Sequence, residues 1–324
     1  MNQLARAATA LAASGILLVT TACGTSSTGA GAGSEGDRLK VVTAFYPLQY
    51  VAEQVAGDRA EITTLTAPGS EPHDLELTAK QVASLSSADV VIYQKGFQAS
   101  VDKAVEQAQP KNVVDVSTVV SLAASSEAGE HTDEHEHEGE SAEEHAGHDH
   151  GGTDPHVWLD PQNMVKISQA VSSRLSEVDA EHAAIFKTRS EDLTAQLTQL
   201  DKSFEDGLKT CQRKEFITSH AAFGYLAKAY GLTQIGISGL AAESDPSPAR
   251  IAEVQKLAKE HGVTTIFYET LVSPAHAKAI AGDLKLKTDV LDPLEGITDQ
   301  SKGDDYISVQ RANLTALQTA NGCK

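Results

Sequence analysis

The sequence predicts an α/β protein of two lobes, each with a parallel sheet flanked by helices, joined by one long, rigid helix. Three observations support this fold class. The chain has 324 residues, a length that suits one large or two medium domains. Short β-branched runs alternate with helical patterns in two separate series, which is typical of parallel sheets. A helical stretch over 180–210 separates the two series, and at ~1.5 Å per residue it spans around 40 Å.

The first series begins at Leu39. Its predicted strands are LKVVTAF, EITTLTA, DVVIYQ and NVVDVS, and its predicted helices are LQYVAEQVAG, TAKQVASLSSA and QASVDKAVEQA. Gly57 ends the first helix. Thr78, followed three residues later by Gln81, forms a capping box that predicts the start of the second helix.

The second series begins at Glu215, after an amphipathic helix (NMVKISQAVSSRLSEVD) and the long helix. Its predicted strands are EFITS, TQIGIS, TTIFYE and TDVLD, and its predicted helices are AAFGYLAKAYG, PSPARIAEVQKLAKEHG, PAHAKAIAGDL and DDYISVQRANLTALQTA. Pro248 suits the first turn of a helix and Gly262 suits the end of one. These patterns predict an N-terminal lobe over 38–178, a connecting helix over 179–209 and a C-terminal lobe over 210–324.

The N-terminus, MNQLARAATALAASGILLVTTAC, has the layout of a secretory signal. It is too short for a spanning helix. The segment 1–23 resembles a bacterial lipoprotein signal, in which Cys23 becomes the lipidated first residue, although Thr20 stands where such signals usually have Leu. The alternative is a cleaved, freely secreted protein. The Gly/Ser-rich segment 24–37 is expected to be a flexible tether.

The chain is strongly acidic, with a formal net charge of −19, which argues against nucleic acid as a partner. Residues 127–150 hold ten acidic residues and no lysine or arginine. Because this stretch lacks hydrophobic periodicity, we predict a disordered loop over 125–153. Its flexible histidines can bind zinc, but only weakly, because each binding event costs chain entropy. The histidines of this loop are His131, His135, His137, His145, His148 and His150.

Histidines and acids also follow several predicted strands, where ligands of open α/β sheets gather. His73 follows EITTLTA, His220 directly follows EFITS at the junction of strand and helix, and His156 lies in the proline-framed loop DPHVWLDP. Asp292 and Glu295 lie in VLDPLEG. Two lobes facing each other would bring three imidazoles and a carboxylate together, a set that suits Zn²⁺. The remaining histidines are interpreted as surface residues: His182, His261 and His276.

Two cysteines remain beyond the signal, Cys211 and Cys323. In an exported protein an even remainder predicts a disulfide. Neither cysteine has a C-x-x-C partner, which argues against a metal role.

Six motifs occur in order between Val41 and Leu317: AFYPLQYVAEQVAGD, PGSEPHDLELT, DPHVWLDP, TSHAAFGYLAKAYGL, EVQKLAKEHGVTTIFYE and LDPLEG. Together they resemble the cluster A-I, zinc and manganese group of solute-binding lipoproteins of bacterial ABC importers. The resemblance implies a metal held in the cleft between lobes by His73, His156 and His220. It implies Glu295 as the fourth ligand because of the PLE sequence, with Asp292 as the alternative.

The same resemblance gives the expected function. Manganese-binding relatives tend to have a carboxylate at the position of His220, so imidazole there favours Zn(II) over Mn(II). We expect a monomeric, non-enzymatic receptor, lipid-anchored to the outer face of the cytoplasmic membrane, that delivers zinc to the permease of an ABC importer. One alternative is a surface zinc buffer or adhesin. Another is a zinc hydrolase, but the chain lacks the H-E-x-x-H motif, which argues against that class of enzyme.

Overall fold

A parallel sheet organises the first half of the computed structural model, which describes residues 38–124 and 152–324. Its strands are β1 (Leu39–Thr43), β2 (Ala60–Thr64), β3 (Val90–Tyr93) and β4 (Val113–Asp115), in the spatial order β2-β1-β3-β4. The helices between them are α1 (Tyr46–Ala56), α2 (Ala79–Ser87) and α3 (Ala99–Ala108). The predicted capping box is confirmed, since the Gln81 backbone N–H donates to the Thr78 side chain and the Gln81 side chain accepts from the Thr78 backbone.

A short antiparallel ladder brackets residues 125–151. Strand β5 (Ala123–Ala124) pairs with β6 (Thr153–Asp154). Thr153, the last residue of the predicted loop 125–153, pairs with Ala124. The predicted tether, signal segment and Cys23 lie outside the described residues, as do the six loop histidines between His131 and His150.

The middle of the chain forms two packed helices, α4 (Pro161–Val178) and α5 (Ala183–Leu208). With 26 residues, α5 is ~39 Å long at ~1.5 Å per residue. Buried residues three or four apart, all apolar except Ser190, form one face of it, and this face packs against α1, α4 and the C-terminal helix. The buried apolar residues of α5 are Phe186, Leu193, Leu197, Leu200, Phe204 and Leu208. The long helix therefore contributes to a core shared by both halves of the chain.

A second parallel sheet follows, with strands β7 (Glu215–Thr218), β8 (Thr233–Gly236), β9 (Thr265–Tyr268) and β10 (Lys287–Val290) in the order β10-β9-β7-β8. Its helices are α6 (Gly224–Ala229), α7 (Pro248–Glu260), α8 (Ala275–Leu284) and α9 (Tyr306–Asn321). The predicted Cys211–Cys323 disulfide is present and ties the end of the chain to the start of this half. The two parallel-sheet α/β domains confirm the predicted fold class.

Helix α6 is much shorter than the predicted 221–231. The residues before it form a turn instead, in which the Ala221 N–H donates to the Gly239 carbonyl at 2.8 Å. His220 directly precedes this turn. In the described part of the chain no helix is both long enough and apolar enough to cross a membrane.

Candidate metal centre

Four side chains from four separate loops converge at the carboxyl ends of the two sheets. His73 lies between β2 and α2, His156 lies two residues after β6, His220 lies two residues after β7, and Glu295 lies after β10. One ligand atom from each lies within 4.8 Å of the others. The residues are 6%, 0%, 0% and 1% exposed, respectively, so the cluster is enclosed by protein.

The spacing of these atoms fits a tetrahedral zinc shell. Glu295 Oε1 lies 3.2 Å from His73 Nε2, 3.1 Å from His156 Nε2 and 3.4 Å from His220 Nε2. The Nε2 atoms of His156 and His220 are 3.4 Å apart. A tetrahedron with Zn–N bonds of ~2.0–2.1 Å has ligand–ligand edges of about 3.3–3.4 Å. The three nitrogen–oxygen separations and the His156–His220 separation are therefore close to those of a zinc shell, and all four ligand atoms lie within 4.8 Å of one another.

Two buried carboxylates orient two of the imidazoles. Asp154 Oδ1 lies 2.8 Å from His156 Nδ1, and Glu269 Oε1 lies 2.7 Å from His220 Nδ1. A carboxylate at Nδ1 fixes the tautomer that carries its proton there and leaves the Nε2 lone pair available for a metal. Neither Asp154 nor Glu269 was identified from the sequence as a site residue, although Glu269 directly follows β9.

The charges of the cluster strongly perturb its pKa values. Burial lowers the pKa of His73 to about 4. Burial also opposes charge on the other two imidazoles, but nearby carboxylates outweigh it. Asp154 and Glu295 raise the pKa of His156 above its usual range. Glu269 and Glu295 raise the pKa of His220 well above its usual range. Two imidazoles of the metal-free cluster therefore favour their protonated forms.

The pKa values of the two carboxylates at the cluster, Glu295 and Glu71, shift in opposite directions. Burial would raise the pKa of Glu295, yet His73 and His220 hold it well below its usual range. Burial and the nearby charge of Glu295 raise the pKa of Glu71 to about 8. The Glu71 carboxylate accepts from the His73 backbone N–H, with both oxygens at 3.2 Å. A carboxylate that stays ionised among imidazoles is suited to a divalent cation.

The loop of His156 is held by its neighbours on both sides. The Gln94 side chain donates to the Pro155 carbonyl at 2.6 Å. Trp158 is fully buried, and its ring lies against Phe45 with centroids 4.9 Å apart. Its indole N–H donates to the Pro293 carbonyl at 2.7 Å, two residues before Glu295. The loops of His156 and Glu295 are thus joined directly.

Asp292, the alternative fourth ligand, has a different position. Its carboxylate accepts from the Leu294 backbone N–H and from the Ser301 hydroxyl, each at 2.8 Å. These bonds hold a turn in which Leu294 adopts a left-handed φ of 60°. Asp292 therefore shapes the turn that presents Glu295, and its carboxylate is not among the four groups that converge.

The three histidines interpreted as surface residues lie in ion pairs outside the cluster. His182 pairs with Asp179 at 2.7 Å, and His276 pairs with Asp245 at 3.1 Å. His261 lies 3.5 Å from Glu215.

Residues 41–320 match the family model described as zinc-uptake complex component A, periplasmic. The chain belongs to this family. It is 37% identical over 308 residues to the high-affinity zinc uptake system protein ZnuA of Bacillus subtilis (strain 168), with 93% of each protein covered. The resemblance identified from the sequence motifs is therefore confirmed.

Solved structures support the same relationship. The Zn(II)-bound ZnuA-like domain of Streptococcus pneumoniae AdcA is 33% identical with a TM-score of 0.71, covering 88% of this chain and 99% of that domain. The chain spans only 55% of full-length AdcA, a zinc-binding lipoprotein. The laminin-binding protein Lmb of Streptococcus agalactiae, titled a bifunctional protein with adhesin and metal transporting activity, is 29% identical with a TM-score of 0.73, covering 87% of this chain and 99% of that one.

Proposed function

We propose that this chain is the zinc-binding component of an ABC importer, which captures Zn(II) outside the cytoplasm and delivers it to a membrane permease. The observation that carries the proposal is the convergence of three imidazole Nε2 atoms on one carboxylate oxygen, each 3.1–3.4 Å from it, with all four atoms within 4.8 Å of one another. Membership in a family of zinc-uptake components supports the same role.

The proposed ligands are His73, His156, His220 and Glu295. Zinc binding requires neutral imidazoles, so the ion displaces the protons that the metal-free cluster holds on His156 and His220. Glu295 is already ionised and supplies negative charge without losing a proton. Because the four ligands come from loops of both halves of the chain, separating the halves would open the shell and release the ion.

The ligand set favours Zn(II) over Mn(II). Imidazole nitrogens suit zinc, whereas manganese prefers sites rich in carboxylate and other oxygen ligands. Three of the four proposed ligand atoms are nitrogens.

The zinc hydrolase alternative fits the site poorly. Catalytic zinc sites combine three protein ligands with an open position for water. Here Glu295 Oε1 lies within 3.4 Å of all three imidazoles and would occupy the fourth position. We therefore propose that the chain has no hydrolytic role.

A second candidate function is adhesion, which one observation favours. Lmb, a structural relative of similar length, is described as both an adhesin and a metal transporter. Binding of this chain to immobilised laminin would support adhesion as an additional role. A separate test bears on import: if deletion of the gene left zinc-limited growth unaltered, the result would count against zinc import.

The remaining features of the proposal concern anchoring and organisation. We propose that Cys23 is lipidated and holds a monomer at the outer face of the cytoplasmic membrane, and that the histidines of the acidic loop bind extra zinc weakly. We also propose an N-terminal lobe over 38–178, a connecting helix over 179–209 and a C-terminal lobe over 210–324. Helix α5, at Ala183–Leu208, lies within the connecting segment and supports this division.

The test is metal analysis of the purified protein followed by competitive titration with zinc and manganese against a chromophoric chelator. We expect one tightly bound zinc per chain and much weaker binding of manganese. Tighter binding of manganese, or no tight zinc, would contradict the proposed function.

A further inference from the structure

Asp154 lies between the proposed ligand His156 and the second half of the chain. Its Oδ1 atom accepts two hydrogen bonds from His156, one from the backbone N–H at 2.9 Å and one from the ring Nδ1–H at 2.8 Å. These two bonds fix the imidazole relative to its own backbone, with Nε2 directed at Glu295. The orientation of this ligand therefore depends on where the Asp154 carboxylate is held.

Helix α6 holds Asp154 from the other side. The Tyr225 hydroxyl donates to the Asp154 carbonyl at 3.0 Å and accepts from the Ala123 N–H at 2.7 Å. A single hydroxyl group thus joins both strands of the β5–β6 ladder to a helix that begins four residues after His220.

Gly224 makes the closest approach to the carboxylate. A Cβ atom at this position would lie 2.5 Å from Asp154 Oδ2, a separation that real Cβ contacts do not reach. The φ of Gly224 is not in the left-handed region, so backbone conformation does not require glycine here. The requirement is space for the Asp154 carboxylate.

We propose that Gly224 and Tyr225 are positioning residues for the metal site: together they hold Asp154 so that its carboxylate directs His156 Nε2 at the ion. Because His220 lies just before α6, the same short segment carries one ligand and positions another from the other half of the chain. This inference rests on the proposed zinc-binding function. Partners that orient ligating histidines commonly contribute about 10- to 100-fold to metal affinity.

The test compares zinc affinity, measured by chelator competition, with the visible absorption of the Co(II)-loaded protein, whose intensity reports tetrahedral coordination. Tyr225→Phe removes the hydroxyl and both of its hydrogen bonds. Loss of the one bond to Asp154 should weaken zinc binding roughly two- to tenfold. Gly224→Ala displaces the carboxylate and should weaken it by about 10- to 100-fold with a changed Co(II) spectrum. Asp154→Ala should match that loss, and Asp154→Asn, which keeps an acceptor oxygen, should recover part of it.

Two matched controls separate positioning from general packing. Tyr230 lies at the end of α6 and donates its hydroxyl to Asp201 at 2.8 Å, so Tyr230→Phe removes a comparable hydrogen bond elsewhere. Gly282 lies in α8 with open space where a Cβ would be, so Gly282→Ala adds the same methyl group without a clash. Both controls should keep the wild-type zinc affinity and Co(II) spectrum.

The thermal midpoint of each metal-free variant verifies that it folds. Wild-type zinc affinity and an unchanged Co(II) spectrum in both Gly224→Ala and Tyr225→Phe would overturn the inference while leaving the proposed function intact. Equal losses in the two control variants would also overturn it, because the effect would then be general. Absence of tight zinc in the wild type would instead overturn the proposed function.

Discussion

Lowering the pH from 7.5 to 5.5 should weaken zinc binding with a slope that the structure specifies. The logarithm of the apparent affinity changes with pH by the number of protons that the ion displaces. Free imidazole titrates near ~6.5. The raised pKa values of His156 and His220 make these two residues the expected source of the displaced protons.

The other two ligands should contribute little in this range. The pKa of His73 is lowered to about 4, and the pKa of Glu295 is held well below its usual range, so both are already deprotonated at pH 5.5. Between pH 5.5 and 6.5 the affinity should therefore fall by about 10- to 100-fold per pH unit, for one to two displaced protons. Because the pKa of His220 is raised well above ~6.5, affinity should still increase with pH above 7.

The assay is chelator competition at each pH, corrected for the chelator's own protonation, together with calorimetry in buffers of different ionisation heats to count released protons. His182→Gln serves as a control because this histidine pairs with Asp179 outside the cluster, and its slope should equal the wild-type slope. A flat affinity over the whole range would refute ligation by nitrogen. A slope near three at pH 5.5 would refute the lowered pKa of His73.

Three further predictions use the same protein. His220→Ala removes one of four ligands and should weaken zinc binding by at least about 100-fold, because the binding free energy of a whole structural zinc site is ~10–16 kcal/mol. The control His276→Ala should have no effect, and equal zinc affinities of the two variants in chelator competition would contradict the assignment. Replacing Cys211 and Cys323 by Ser removes a disulfide between residues 112 positions apart, which should lower the free energy of unfolding by about 4 kcal/mol. Guanidinium titrations measure this loss, and an unchanged midpoint would contradict the prediction. Deleting 127–150 should leave one tight zinc by metal analysis and remove the weak extra ions, so loss of the tight zinc would show that the loop forms part of the primary site.

The features that the sequence predicted well are local ones. Strand–helix alternation follows from side-chain periodicity, and the capping box at Thr78 depends on residues only three positions apart. The candidate ligands could be selected because ligands of parallel sheets gather after strands, which is where His73 and His220 lie.

The features that the sequence could not predict depend on tertiary contacts. Glu269 orients His220 from 49 residues away, directly after the neighbouring strand β9, and no local pattern indicates that partnership. The different positions of Asp292 and Glu295 depend on the turn held by Ser301 and on the left-handed conformation of Leu294. The sequence left both acids as alternatives because it does not show which of two carboxylates in one loop points toward the imidazoles.

The central claim is that zinc lies among His73, His156, His220 and Glu295, and the most direct test is anomalous diffraction at the zinc absorption edge from crystals of the zinc-loaded protein. The account predicts one strong peak between the two sheets, ~2.0–2.2 Å from the three Nε2 atoms and from a carboxylate oxygen of Glu295. A principal peak elsewhere, or a shell in which Asp292 or water replaces Glu295, would contradict it.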